Sequence, residues 1–90
     1  MFKGIKKINI NYDINSNIEV EYKFIESNIG NNIIYGFSIK SKIIGTKEIT
    51  KKEFLDFTDN FEYAKNIFNS LIQNKVLPLN LINVLDDITN

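Results

Sequence analysis

Ile18-Glu19-Val20-Glu21-Tyr22-Lys23-Phe24 alternates apolar and charged side chains without a break. Successive side chains of an extended chain point to opposite faces, so Ile18, Val20, Tyr22 and Phe24 share one face and Glu19, Glu21 and Lys23 the other. Upstream, Ile8, Ile10 and Tyr12 repeat the period opposite Lys7, Asn9 and Asn11. Between the two runs lies Asp13-Ile14-Asn15-Ser16-Asn17, rich in side chains that hydrogen-bond their own backbone. Two alternating runs about a short polar loop predict an antiparallel hairpin.

Working downstream, Ser27-Asn28-Ile29-Gly30-Asn31-Asn32 marks the next break, and Ile33, Tyr35, Phe37 and Ile39 make a third alternating run. Gly45-Thr46 is a turn signal leading to residues 47–57, which admit two readings. Thr50-Lys51-Lys52-Glu53 matches a capping box that would open a helix. Ile49, Leu55 and Phe57 instead keep the odd parity of a strand, and that is the reading adopted. The period then changes. Asp59-Asn60-Phe61-Glu62 is a second capping box, followed at helical spacing by Phe61, Ala64, Ile67, Phe68, Leu71 and Ile72. Pro78 is expected to stop this helix and to stand where another begins, with Leu81, Ile82, Leu85 and Ile88 as its apolar stripe. The order predicts one α+β domain over residues 1–90: an antiparallel four-stranded sheet followed by two C-terminal helices packed on one face. The other sheet face is expected to be polar and open to water.

Composition removes most catalytic chemistry. The 90 residues include no histidine, cysteine, tryptophan or arginine. Histidine titrates nearest neutrality and cysteine is the strongest ordinary nucleophile, so a neutral-pH enzyme without them needs strongly shifted carboxylates, lysine or tyrosine. No phosphate-binding glycine loop, nucleophile elbow or metal-ligand spacing occurs, and the serines have no histidine to activate them. The expectation is a protein that is not an enzyme, with no catalytic residues, no metal site and no cofactor. Seventeen Ile, fourteen Asn and eleven Lys against one Ala and one Pro point to an AT-biased genome. No apolar segment reaches the ~18 residues a membrane span needs, and no apolar region follows the charged start, so a cytoplasmic location is expected.

The layout from Tyr35 onward resembles a known group of sequences. Tyr35-Gly36-Phe37-Ser38-Ile39 leads to the helix entry Asp56-Phe57-Thr58-Asp59-Asn60, and the chain closes on Val76-Leu77-Pro78-Leu79-Asn80-Leu81-Ile82-Asn83-Val84-Leu85-Asp86-Asp87-Ile88. This is similar to short, uncharacterised domain-of-unknown-function proteins of low-GC Gram-positive bacteria and their phages. Those have a Tyr-Gly-Ile strand, a Val-x-Pro-x-x-Leu step and a terminal helix with an acidic pair. Phe37 stands where that pattern has Ile, and the first hairpin is not part of the likeness. The resemblance implies a small bacterial or phage-borne protein and carries over no functional residues.

Charge is balanced overall but not along the chain. Up to Lys52 there are nine lysines and five acids, about +4; from Glu53 there are two lysines and six acids, about −4. Glu19 and Glu21 project from one side of a strand, with Lys23 next in line and Lys7 across the hairpin, a pattern of cross-strand charge pairing. Lys40, Lys42, Lys47, Lys51 and Lys52 cluster about the third hairpin, where an exposed edge carries charge against aggregation and where phosphate could also bind. Phe54, on the strand reading, faces away from the helices and becomes a contact aromatic. Asp86 and Asp87, near a helix C-terminus that disfavours negative charge, invite an outside partner such as lysine from the basic half of this or another copy. These eight residues are the candidate interaction surface. The expected function is protein–protein interaction by a regulatory or accessory factor, with inhibition of a host protein by a phage or mobile-element product as its sharper form. The partner is a protein of unspecified identity, and a second copy of the chain through an open sheet edge is one option. The alternative is a nucleic-acid-binding module using the 40–52 hairpin.

Overall fold

The computed structural model describes the backbone of residues 2–13 and 16–89 and the side chains of residues 18–88. Strands β1 (Phe2–Asp13), β2 (Ser16–Ile29), β3 (Asn32–Ile43) and β4 (Ile49–Thr58) are followed by helix α1 (Phe61–Gln73), a 3₁₀ turn (Pro78–Asn80) and helix α2 (Leu81–Thr89). Neighbouring strands pair in chain order and antiparallel.

The expected four-stranded sheet under two helices is corrected. The helix-backed sheet is three-stranded, β2-β3-β4. Among the described side chains, every buried core residue that the sheet contributes comes from β2 or β3, with Phe54 and Phe57 of β4 packed against them. Helix α1 and the 3₁₀ turn each rest on β3 and β4, so the helical layer is centred on that side, while β1 is a ribbon paired along the outer side of β2. A period of two marks a chain as extended; it does not say whether a helix lies above it. The side chains of Ile8, Ile10 and Tyr12, assigned to the apolar face from their alternation, lie outside the described residues.

Strands β2 and β3 pair without a slip from Ile18↔Ile43 to Ile29↔Asn32. Their two-residue loop starts on Gly30 at φ 60°, the left-handed conformation that a II′ hairpin turn requires at that position. Tyr22, Phe24, Phe37 and Ile39 thereby meet on one face and are buried under Ala64, Ile67, Phe68 and Leu71 of α1 and Leu81 and Leu85 of α2. Phe68 sits 5.3 Å from Phe24 and 6.3 Å from Phe37 between ring centroids, so the helix packs mainly through aromatic contact. The opposite face is less open than its polar residues imply. Ser38, in register between Lys23 and Glu53, is 2% exposed, and Ile25 beside Gly36 is 8% exposed.

Residues 49–58 form a strand, but not a regular one. Phe37 faces Phe54 and Tyr35 faces Thr58, so Leu55, Asp56 and Phe57 all lie opposite Gly36. Asp56 takes φ 56°, which Asp tolerates better than most side chains. This bulge overturns the expected parity. Phe54 and Phe57 do not point to opposite faces: their rings meet edge to face at 5.6 Å, and Phe57 lies 5.3 Å from Phe37. Ile49 and Leu55, expected beneath the helices, are exposed. The bulge closes tightly over Gly36, where an added Cβ would lie 2.5 Å from the Phe54 carbonyl oxygen and 2.8 Å from the Leu55 Cα.

Helix α1 starts one residue later than the capping box suggests. Asn60 is the N-cap, its Oδ1 accepting from the Tyr63 N–H at 3.0 Å. It also ends before Pro78 can act. Lys75 at φ 52° donates to the Ile72 carbonyl, and Val76 donates to the Leu71 carbonyl at 3.0 Å, the paired bonds of a Schellman cap. Pro78 instead opens the 3₁₀ turn that runs into α2. The intervening connection is tied to the sheet by Tyr22, whose hydroxyl donates to the Val76 carbonyl at 2.9 Å. The side chain is fully buried, and desolvation pushes its pKa up to about 12.

Two stability measurements test these contacts. Gly36→Ala forces the bulge off β3 and is expected to cost about 1–3 kcal/mol in urea unfolding; an unchanged midpoint would show that the close approach is not constraining. A tyrosine in the unfolded chain ionises near pH 10, whereas folded Tyr22 holds its proton to about 12. Its stabilising contribution is therefore complete below pH 10 and falls away between pH 10 and 12, by roughly 2–3 kcal/mol in all. Tyr22→Phe should lack that part of the alkaline loss, narrowing its stability gap to the wild type across that window.

Candidate interaction surface

The five lysines expected to form one surface do not share one. Lys40 and Lys51 are register partners on the open face of the sheet, and Lys42 lies on that face opposite Glu19 and Ile49. Lys52 is in register with Ile39 and so belongs to the helix side of β4, while Lys47 stands in the connection before that strand. The open-face lysines are interleaved with carboxylates. Glu21 Oε1 lies 3.3 Å from Lys23 Nζ and 4.0 Å from Lys40 Nζ, and Glu53 Oε2 lies 3.6 Å from Lys51 Nζ. The β1 register adds Lys7 opposite Glu21. This is charge pairing across strands, and it leaves Glu21 flanked by cations. Among the described residues, Lys42, Lys47 and Lys52 have no carboxylate within 4.0 Å.

Phe54 is corrected from contact aromatic to core neighbour. It is half-buried, faces Phe37 in register and packs against Phe57. Asp86 and Asp87 are both exposed on α2, in the last turns of that helix. Among the described residues, no three acidic side chains gather where they could hold a metal ion. No described helix is long and apolar enough to cross a membrane.

Sequence reading missed an apolar feature at the far end of the sheet. A groove of about 170 Å3 opens where the ends of β2 and β3 meet the 3₁₀ turn, lined by Ile18, Ile43 and Pro78 with Glu48 and Thr50 from the start of β4. Leu79 lines it too, yet is 75% exposed, the most exposed large apolar side chain among those described. Pro78 at the first position of the turn fixes the backbone angle there, so Leu79 is presented on a stiff support. In the run Leu77-Pro78-Leu79 the two leucines look equivalent. Leu77, still extended as the cap of the turn, is half-buried against the core, while Leu79 lies within the turn and projects.

Comparison with curated proteins finds no match, and neither does comparison with solved structures. A protein-family model does match, and it spans residues 1–90, the first hairpin included. The chain belongs to a family of unknown function, DUF6514.

Proposed function

We propose that this protein acts by binding another protein, as a small regulatory or accessory factor. The observation that carries the reading is Leu79, three-quarters exposed beside an apolar groove and held there by a proline turn. An apolar side chain kept in water on a rigid support costs free energy in the isolated chain, and a partner that covers it recovers that cost. Exposed Ile44 in the β3–β4 turn and Ile82 on α2 add further apolar surface. The composition, heavy in Ile, Asn and Lys, supports an origin in low-GC bacteria or their phages, where occupying a host protein's surface is the sharper form of the role. Nucleic-acid binding by the 40–52 hairpin is the weaker reading, because those lysines divide between two faces and a turn and two of them sit beside glutamates.

Leu79→Asp is the decisive variant, since the position is exposed and a charge there leaves the core intact. Wild type and variant should be immobilised and exposed to nuclease-treated low-GC bacterial lysate, with bound proteins identified by mass spectrometry. The expected result is a protein retained by the wild type and lost by Leu79→Asp. Identical recovery on both columns, or recovery abolished by the nuclease, would refute the reading.

A further inference from the structure

We propose that the free edge of β4, over residues 49–54, receives an extended acidic peptide segment as an added antiparallel or parallel strand; this rests on the protein-binding reading above and names the partner's chemistry. Strand β4 ends the strand order, so among the described residues one side of its backbone has no neighbouring strand. Residues 49–53 are all exposed. An uncovered edge presents alternating N–H and C=O groups, which an extended chain can pair with whatever its sequence.

Three features narrow the occupant. The first is charge. Residues 40–53 hold five lysines and two glutamates, a net +3 along the hairpin that ends in this edge. Lys47 and Lys52 have no carboxylate within 4.0 Å among the described residues, so they remain to be neutralised from outside. The second is exclusion of the chain's own copies. Two β4 edges paired antiparallel about residues 51 and 52 would set Lys51 and Lys52 of one copy against the same residues of the other, and directly opposed like charges destabilise a pair. The third is length. The bulge at residues 55–57, with Asp56 at φ 56°, ends the regular strand, so only a short segment can be matched. Alternate side chains of the added strand would fall on the helix side beside Thr50 and Lys52, where an acid meets the lysine, and the others on the open side beside exposed Ile49, where an apolar residue fits. The partner segment therefore alternates acidic and apolar residues.

The probe is a fluorescein-labelled peptide alternating Val and Glu, titrated with the full chain and read by fluorescence anisotropy. Three controls accompany it: a Val/Lys peptide, an acidic peptide with proline at alternate positions, which cannot donate from those main-chain sites, and an oligodeoxythymidylate of matched charge. Saturable binding of the Val/Glu peptide alone is expected. The double variant Lys51→Glu/Lys52→Glu should weaken it by roughly tenfold and admit the Val/Lys peptide. Lys51 lies opposite Lys40 in register and 3.6 Å from Glu53, so the reversal exchanges one like-charge contact for another; circular dichroism of the variant checks that the strand stays in place. Equal binding of the proline peptide or of the oligonucleotide would overturn strand addition, since charge alone would then account for the affinity. No binding of the Val/Glu peptide would overturn it as well. The double variant on the lysate column separates the two ideas. If it retains the protein that Leu79→Asp loses, the edge inference falls and the protein-binding reading stands; if neither substitution changes recovery, the reading itself has failed.

Discussion

Everything else in this domain is built on the unbroken pairing of β2 with β3. Twelve consecutive register partners, from Ile18↔Ile43 to Ile29↔Asn32, bring two alternating sequences into phase. Because the side-chain period is two, a slip of one residue would turn Tyr22, Phe24, Phe37 and Ile39 to the wrong face together. The Gly30 turn holds that phase, since its left-handed φ permits a two-residue loop. Once the register is set, an aromatic surface exists, and α1 has something to bury its own stripe against.

The same register explains why the second half of the sheet is irregular. Gly36 leaves room beside Phe37, and the β4 backbone fills it with the bulge at residues 55–57. The bulge turns Phe57 toward Phe37 and Tyr63, joining strand, bulge and helix start through ring contacts of 5.3 and 5.9 Å. It also terminates the exposed edge, which limits how far another strand could extend along it. Beyond the helix, Tyr22 reaches across the core to the Val76 carbonyl and so positions the connection from which Pro78 and Leu79 project. The surface feature that supports a binding role is thus coupled, through one buried hydroxyl, to the strand at the centre of the fold. That coupling gives the exposed leucine a fixed position, and preorganisation of this kind lowers what a partner must spend in ordering it.

Charge on the open face follows another logic. Glu21, half-buried between Lys23 and Lys40, and Glu53, exposed beside Lys51, make a lattice of weak pairs. Each contributes little to stability. In the β3–β4 hairpin, Lys42, Lys47 and Lys52 have no carboxylate within 4.0 Å among the described residues, and the groove opens at the turn end of that hairpin. A separation of paired and unpaired charge within one small sheet is invisible in net charge, which is zero.

Local pattern by itself determined that residues 18–24 and 33–39 are strands, that residues 61–72 are a helix with one apolar stripe, and that the two should pack together. Each follows from backbone periodicity and side-chain solubility, which act over neighbouring residues. Composition likewise bore on chemistry, since a residue type absent from the chain is absent from every site. Tertiary structure alone decided the rest. It set the helical layer over β3 and β4, so the helix-backed sheet is three-stranded and β1 pairs beyond it; alternation in β1 carries no information about what lies above. It placed Phe54 and Phe57 on one face through a bulge that depends on space left by a glycine in another strand. It divided five nearby lysines between faces, and it distinguished Leu77 from Leu79. Such outcomes depend on contacts between residues far apart in the chain, and no reading of neighbours along the sequence contains them.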